Sequence, residues 1–193
     1  QWVIAVSATS ILFSALVGVV SNGKTASLAF GALYVSLPFG AFIFVREVAS
    51  GAWLLLSVMA LVWATDIAAF LAGRGFGGPQ LSPRNSPNKT WTGALGALIC
   101  TVLAGVVIAR LIRADIVTWV ILAAMVSVLA QAGDLLESAF KRRFGVKDTS
   151  GIIPGHGGVL DRLDSLMAVV SALGLSVYLF PEILNLLEGR SAL

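Results

Sequence analysis

Long apolar runs constrain this sequence more than any other feature, because each run is long enough to cross a lipid bilayer. A membrane-spanning helix needs about 20 mainly apolar residues. The runs are continuous and do not alternate with period two, which predicts helices rather than the strands of a barrel. The predicted spans are Trp2–Val20, Ala26–Val45, Gly51–Gly73, Gly93–Ile112, Ile116–Ala139 and Leu163–Leu187.

The composition supports lipid as the main solvent. Of the 193 residues, 58% are hydrophobic and 12% are charged, whereas soluble domains average roughly 45–50% and 25%. We therefore predict an all-α integral membrane protein, a single transmembrane domain over residues 1–193 with about six helices. The net charge of +3 without a long basic run argues against nucleic-acid binding. The single cysteine, Cys100, lies in an apolar run and is interpreted as a packing residue.

The first apolar run is interpreted as a membrane helix. It lacks the basic segment that precedes the apolar core of a signal peptide, and it is long enough to span a membrane. The chain begins with Gln1 rather than Met. We therefore expect that residues preceding Gln1, including N-terminal helices, are absent from this sequence.

Two connections between the predicted spans are long, at about 74–92 and 140–162, and with six spans they lie on the same side of the membrane. The three connections on that side carry nine of the 13 Lys and Arg residues, and the other side carries four. By the positive-inside bias, both long loops are predicted to be cytoplasmic. The nine are Lys24, Arg74, Arg84, Lys89, Lys141, Arg142, Arg143, Lys147 and Arg162.

Acidic residues gather where three predicted spans meet the long loops. Ionisable groups in membrane spans are costly and usually face a polar cavity or a partner. A simpler interpretation fits single residues: acids in a first helical turn complement the helix dipole, and Glu137 and Lys141 form a surface pair. It does not explain why three helices carry acids at the same membrane face, which suggests a site for a hard cation such as Mg²⁺. The six residues are Asp66, Asp134, Glu137, Asp148, Asp161 and Asp164.

Groups suited to phosphate lie beside these acids. The segment SPNKT, Ser86–Thr90, offers hydroxyls, an amide and an ammonium, and KRRFGVK, Lys141–Lys147, holds four cations in seven residues. The GHGG segment lets backbone approach a ligand just before a predicted helix N-terminus. This combination predicts phosphoryl or nucleotidyl transfer. His156 is expected to contact phosphate or transfer a proton, with a structural histidine as the alternative. The GRGFGG segment is interpreted as a flexible connection rather than a nucleotide loop.

A long segment resembles a known family signature. SAFKRRFGVKDTSGIIPGHGGVLDRLD, Ser138–Asp164, is similar to the signature of phosphatidate cytidylyltransferases, also called CDP-diacylglycerol synthases. With the start of the last helix, the signature covers residues 138–165. SPNKTWTG resembles the family's second motif, QAGDLLES resembles the segment leading into the signature, and Asp66 with Gly73 is similar to an earlier helix-end motif. Thr92 stands where members often carry an acid.

The resemblance implies an Mg²⁺-dependent reaction of phospholipid biosynthesis in which CTP and phosphatidic acid give CDP-diacylglycerol and pyrophosphate. A second cation beside Mg²⁺ is also expected. The resemblance also implies a homodimer in the bacterial inner (plasma) membrane, with its active site on the cytoplasmic side.

The resemblance assigns roles to particular residues. Asp134, Asp161, Lys147 and His156 are expected to be catalytic, and Asp134, Asp161 and Asp164 to bind metal. Substrate binding is expected of the remaining group: Ser86, Lys89, Thr90, Lys141, Arg142, Asp148, Gly157, Gly158, Arg162 and Asp66.

Other classes of membrane protein fit the sequence less well. An ion-coupled transporter would need acids near mid-span and repeated halves, which the sequence lacks. The D-G-x-x-A-R pattern of CDP-alcohol phosphotransferases is absent. A non-enzymatic assembly protein gives no reason for so dense a polar loop. A membrane lipid or polyprenol kinase uses similar residue types and is kept as the alternative.

Overall fold

The computed structural model describes residues 25–143, 145–146, 158 and 160–187. Its elements are helices joined by short connections, with one β-hairpin and a 3-10 turn. In chain order they are α1 (Thr25–Glu47), α2 (Gly51–Phe76), β1 (Gln80–Ser82), β2 (Ser86–Thr90), α3 (Trp91–Ile112), α4 (Ile116–Arg143), the 3-10 turn Leu160–Arg162, α5 (Asp164–Leu179) and α6 (Ile183–Leu187).

Helices α2, α3 and α4 are each long and apolar enough to cross a membrane. Their outward faces carry large exposed apolar side chains such as Trp63 and Leu103, as expected where lipid is the solvent. The prediction of a mainly helical membrane protein is therefore confirmed. The first predicted span, Trp2–Val20, lies outside the described residues, so the count of six spans and the cytoplasmic placement of the loops stay predictions.

The last predicted span is not one continuous helix, which corrects the prediction for Leu163–Leu187. Helix α5 ends at Leu179 and α6 begins at Ile183. The backbone N–H of Phe180 still bonds to the carbonyl of Ser176, at 2.9 Å, but Pro181 has no N–H to continue the pattern and its ring clashes with a helical backbone. The 16 residues of α5 span roughly 24 Å at 1.5 Å per residue.

A short hairpin occupies the connection predicted at 74–92. Strands β1 and β2 are antiparallel, with Gln80 opposite Thr90 and Ser82 opposite Ser86. Pro83 lies in the turn between them, where its fixed φ suits a tight turn. The N–H of Trp91 bonds to the carbonyl of Pro79 at 3.0 Å and ties the base of the hairpin to the start of α3.

The described chain divides into two compact units. One contains residues up to Leu55 with Val170–Pro181, and the other contains Leu56–Val169 with residues from Glu182 onward. In the first unit, Gly174 of α5 lies so close to Ala41 of α1 that an added Cβ would come within 2.6 Å of the alanine side chain. All described candidate site residues belong to the second unit.

Small and hydroxylated residues let the helices of the second unit approach closely. Gly105 of α3 would place an added Cβ 2.6 Å from the Ala123 side chain of α4. Thr65 of α2 and Thr101 of α3 are fully buried, and their hydroxyl oxygens lie 2.8 Å apart. In a bilayer, the hydrophobic effect does not drive helices together, because lipid tails are as apolar as the helix surfaces. Helices associate instead through close packing at small residues and through interhelical hydrogen bonds, as seen here.

Candidate active site

A cavity of about 720 Å³ in the second unit is lined by acidic side chains from four elements of the chain. Asp66 comes from α2, Asp134 from α4, Asp161 from the 3-10 turn and Asp164 from the first turn of α5. We call this the acid-lined cavity. The structure thus places the three predicted metal ligands and Asp66 in the wall of one cavity. Asp66 and Asp134 lie in the C-terminal halves of α2 and α4, and Asp164 begins α5.

Close helix packing brings the acids of α4 and α5 to the same place. Gly133, next to Asp134, would place an added Cβ 2.5 Å from the side chain of Ala168 and 3.2 Å from the carbonyl oxygen of Asp164. A larger residue at position 133 would therefore separate α4 from the start of α5. The glycine sets the distance between the two acid-bearing helices.

Ser165 joins two of the carboxylates. Its hydroxyl lies 3.5 Å from Oδ1 of Asp66 and 3.4 Å from Oδ1 of Asp164. Its backbone N–H donates to the same Asp164 oxygen at 2.6 Å. Ser165 is buried, and sequence reasoning did not select it. The sequence feature that could have identified Ser165 is its position directly after Asp164, in the acidic first turn of a predicted helix.

The hairpin contributes a cation to the cavity. Lys89 of β2 forms an ion pair with Asp134 of α4. The hydroxyl of Ser138, one turn further along α4, lies 3.4 Å from Oδ1 of the same aspartate. Lys89 and Asp134 are partly exposed, so the pair contributes little to stability. It does fix β2 of the hairpin over the acids of α4.

Lys141 lies between two carboxylates of different elements. Its Nζ is 3.3 Å from Oε1 of Glu137 and 3.1 Å from Oδ1 of Asp161. Oδ2 of Asp161 accepts the backbone N–H of Gly158 at 2.7 Å. Asp161 therefore holds Lys141 with one carboxylate oxygen and accepts the backbone N–H of Gly158 with the other.

Glu137 is buried, with 4% of its surface exposed. The interpretation of Glu137 and Lys141 as a surface pair is therefore wrong. Its carboxylate forms an ion pair with Lys141 and also lies beside the carboxyl group of Asp164. Sequence reasoning missed this burial because the spacing of four residues is the same for exposed and buried pairs.

The acids of the cavity repel one another. Asp66 lies within electrostatic range of Asp134 and Asp164, and the last two lie within range of each other. In the weakly polar surroundings of packed helices, such repulsion is reduced by a bound cation. The carboxylate oxygens have the chemistry that Mg²⁺ prefers. No group of three or more His, Cys, Asp or Glu side chains converges into a preformed metal site in the part of the chain that is described.

Thr90 has a structural role in addition to its place in the cavity wall. It is the N-cap of α3, and its hydroxyl accepts the N–H of Gly93 at 3.1 Å. It also lies 3.0 Å from the hydroxyl of Thr92, which donates to the carbonyl of Gly77. The two threonines thus join the end of α2 to the start of α3, beside the hairpin.

A second cavity, of about 500 Å³, lies between the start of β2 and the last turns of α4. The Nε–H of Arg142 donates to the carbonyl of Asn85 across it, at 3.4 Å. We call it the basic cavity. Its walls are formed by Asn85, Ser86, Pro87, Asn88, Ser138, Lys141 and Arg142.

Apart from Gly158, the described candidates from the sequence all line these two cavities. Ser86, Lys89, Thr90 and Arg162 line the acid-lined cavity with the four aspartates, and Gly158 contacts Asp161. Gln131, which sequence reasoning also missed, lines it and bonds to the carbonyl of Ala94 at 3.4 Å. The remaining candidates fall outside the described residues, so their roles stay predictions: Lys147, Asp148, His156 and Gly157.

Comparison with known proteins identifies related sequences. The chain is 49% identical over 126 residues to a protein named phosphatidate cytidylyltransferase from Brucella suis biovar 1 (strain 1330), covering 65% of this chain and 47% of the relative. It is 41% identical over 144 residues to the protein of that name from Staphylococcus haemolyticus (strain JCSC1435), covering 74% of this chain and 55% of the relative.

The chain spans about half the length of the curated relatives that it matches. A third, from Haemophilus influenzae (strain ATCC 51907 / DSM 11121 / KW20 / Rd), carries the same name and is 44% identical over 126 residues, covering 62% of this chain and 44% of the relative. The model of a protein family described as the cytidylyltransferase family matches residues 1–180 of this chain. The chain therefore belongs to the cytidylyltransferase family.

Proposed function

We propose that the protein transfers CMP from CTP to phosphatidic acid, giving CDP-diacylglycerol and pyrophosphate. The observation that carries the proposal is the acid-lined cavity, whose wall includes four carboxylates together with the ammonium groups of Lys89 and Lys141. The names of the relatives point to the same reaction.

The reaction requires two anions to approach each other. An oxygen of the lipid phosphate attacks the α-phosphorus of CTP and forms the new phosphorus–oxygen bond. The bond from the α-phosphorus to the bridging oxygen breaks, and its electron pair leaves with pyrophosphate. Lys89 and Lys141 would offset the repulsion between the anions and orient their phosphates. Arg162, in the same cavity wall, adds a third cation.

The carboxylates suit a divalent cation. Asp134, Asp161 and Asp164 would hold Mg²⁺, and Asp66 adds a fourth carboxylate to the same cavity. When bound, Mg²⁺ neutralises phosphate charge and stabilises charge on the leaving group. A second cation at the same carboxylates is part of the proposal. The hydroxyl of Ser165 would keep Asp66 and Asp164 oriented, through the hydrogen bonds described above.

The membrane setting follows from the helices. Because α2, α3 and α4 each contain an apolar stretch long enough to cross a membrane, the acyl chains of the lipid substrate would stay in the bilayer while its phosphate enters the cavity from the side. The inner (plasma) membrane, a cytoplasmic site and a homodimer are proposed with this function.

Turnover by the purified protein in detergent tests the proposal. CTP and phosphatidic acid should give CDP-diacylglycerol with Mg²⁺ and no product with EDTA. Asp134→Asn should abolish turnover while the protein remains folded. The matched control is Asp115→Asn, because Asp115 caps the opposite end of α4 through hydrogen bonds to Thr118. Full activity of Asp134→Asn would remove Asp134 from the reaction, and phosphate transfer from ATP would favour a kinase.

A further inference from the structure

One exposed apolar residue connects the acid-lined cavity to the outer surface of α2. Phe70 lines the cavity with Asp66 and Ala69 of the same helix, and 61% of its surface is exposed. Of the large apolar side chains that are exposed in the described part of the chain, Phe70 is the one that also lines this cavity. It therefore marks the place where the polar cavity meets the lipid-facing surface.

A stripe of apolar side chains leads along α2 to Phe70. Trp63 and Ile67 are both exposed, and with Phe70 they occupy positions i, i+4 and i+7, which lie on one face of a helix. We call these three residues the apolar stripe. From Trp63 to Arg74 the helix rises roughly 16 Å at about 1.5 Å per residue. The hydrocarbon core of a bilayer is about 30 Å thick, so this length matches one leaflet.

A cation stands at the end of the apolar stripe. Arg74 is in the last turn of α2, and its guanidinium carbon lies over the ring of Phe70, 5.9 Å from the ring centroid. This distance is that of a cation–π contact. A basic residue in a last turn also complements the helix dipole, but that role does not need an aromatic ring beneath the cation. The contact with Phe70 therefore sets where the charge lies.

The N–H donors of Arg74 are available to an anion. Among the described residues, no carboxylate forms an ion pair with Arg74. Stacking on a ring uses the face of the guanidinium and leaves the donors at its edge, whose fork geometry matches phosphate oxygens. An apolar stripe with such a cation at its end complements a phospholipid, in which an anionic phosphate follows the acyl chains. A nucleotide has no group that would occupy the stripe.

We propose that Arg74 binds the phosphate of a lipid whose acyl chain lies along the apolar stripe, and that the lipid substrate enters the acid-lined cavity from this position, past Phe70. The inference rests on the proposed function for the identity of the lipid, a diacyl phosphomonoester. Arg74 makes the first contact with the phosphate outside the cavity. Phe70 is a positioning residue, because its ring holds the guanidinium at the cavity entrance.

Fluorescence quenching in lipid nanodiscs tests the inference without CTP. Brominated acyl chains quench the tryptophans that they contact. Brominated phosphatidic acid should quench the wild-type protein more than brominated phosphatidylcholine or phosphatidylglycerol at the same mole fraction. Trp63→Phe should remove most of that excess, and Trp53→Phe, at the other end of α2, should keep it. Arg74→Gln should raise the mole fraction for half-maximal quenching about tenfold, because a charge-assisted contact is lost.

Two quenching results would overturn the inference. Equal quenching by phosphatidylglycerol and phosphatidic acid would make the surface a contact for anionic lipids in general. An excess for phosphatidic acid that persists in Trp63→Phe would place the acyl chain elsewhere.

Kinetics separate the lipid from the nucleotide as the partner of Arg74. Arg74→Gln should raise the KM for phosphatidic acid about tenfold and leave kcat and the KM for CTP within about twofold. Arg74→Lys should keep part of the lipid affinity, since an ammonium binds phosphate without the fork. Arg110→Gln removes an exposed cation from the last turn of α3 and should match the wild type. A raised KM for CTP, or a lower kcat at an unchanged KM for phosphatidic acid, would overturn the inference.

The positioning role of Phe70 has its own test. Phe70→Leu keeps an apolar side chain and removes the ring, so the KM for phosphatidic acid should rise about threefold through loss of the cation–π contact. In the Arg74→Gln background the same change should add little, because the two residues act together. Additive effects would show that Phe70 does not act through Arg74. If lipid binding depends on Arg74 but no CDP-diacylglycerol forms, the lipid site stands and the proposed function fails.

Discussion

Nζ of Lys141 lies 3.1 Å from Oδ1 of Asp161, which joins the end of α4 to the turn before α5. Glu137 contacts the same ammonium from one turn earlier. One cation is thus shared by two carboxylates at the wall of the acid-lined cavity. All three side chains are at least 85% shielded from solvent, with exposed fractions of 15% for Lys141, 5% for Glu137 and 10% for Asp161.

Removing the ammonium of Lys141 should destabilise the protein as well as inactivate it. Lys141→Met leaves Glu137 and Asp161 without their shared cation, and breaking a buried pair typically costs about 3–5 kcal/mol. The double variant Lys141→Met with Glu137→Gln should recover part of that loss but no activity. Thermal unfolding in detergent and CMP transfer measure the two effects. An active Lys141→Met protein would contradict a role for Lys141 at the phosphates.

Glu137 should act through Lys141 rather than on the substrates. Glu137→Gln keeps the shape of the side chain and removes its charge, so Lys141 keeps only Asp161 as an ionic partner among these contacts. We expect kcat to fall about tenfold with little change in either KM, since a small misplacement of a catalytic group is costly. Steady-state kinetics at varied CTP and phosphatidic acid provide the check. A change confined to stability, with kcat intact, would make Glu137 purely structural.

Gly133→Ala should impair activity by separating two helices. The added methyl would lie 2.5 Å from the Ala168 side chain, and overpacking of this kind costs about 1–3 kcal/mol. Because Asp134 and Asp164 flank this contact, their carboxylates would move apart. Gly75→Ala is the matched control, since an added Cβ there meets nothing within 4 Å. Equal activity of the two variants would show that the packing at Gly133 does not position the acids.

The pair of Thr65 and Thr101 should contribute to stability and not to chemistry. Each hydroxyl also bonds to a carbonyl of its own helix, so Thr65→Val and Thr101→Val leave few unsatisfied groups. Interhelical hydrogen bonds in membrane proteins average about 0.6 kcal/mol. A double-mutant cycle on thermal unfolding should give a coupling of that order with activity unchanged. Loss of turnover in either variant would contradict the assignment.

Helix bounds and the gathering of acids could be predicted because both follow from the sequence pattern. The starts of α2 and α4 coincide with the predicted starts at Gly51 and Ile116. The acids of α2, α4 and α5 were expected at the same membrane face, since charge in a span needs a polar cavity. The sequence could therefore predict that these acids share one polar cavity.

Other features depend on tertiary contacts that a single sequence does not display. The hairpin was missed because its prolines and short strands are typical of an irregular loop. The break at Pro181 carried a sequence signal, but the apolar run on both sides outweighed it in the prediction. The burial of Glu137 and the link through Ser165 arise only when α2, α4 and α5 pack. Spacing along one helix cannot reveal them.

The position of the transferred phosphorus tests the central claim most directly. Purified protein is incubated with phosphatidic acid and Mg²⁺, and with CTP labelled either at the α- or at the γ-phosphorus. CMP transfer predicts that α-label appears in the lipid and γ-label in pyrophosphate. Label from the γ-phosphorus in the lipid, or a lipid that gains no label from either position, would contradict the account.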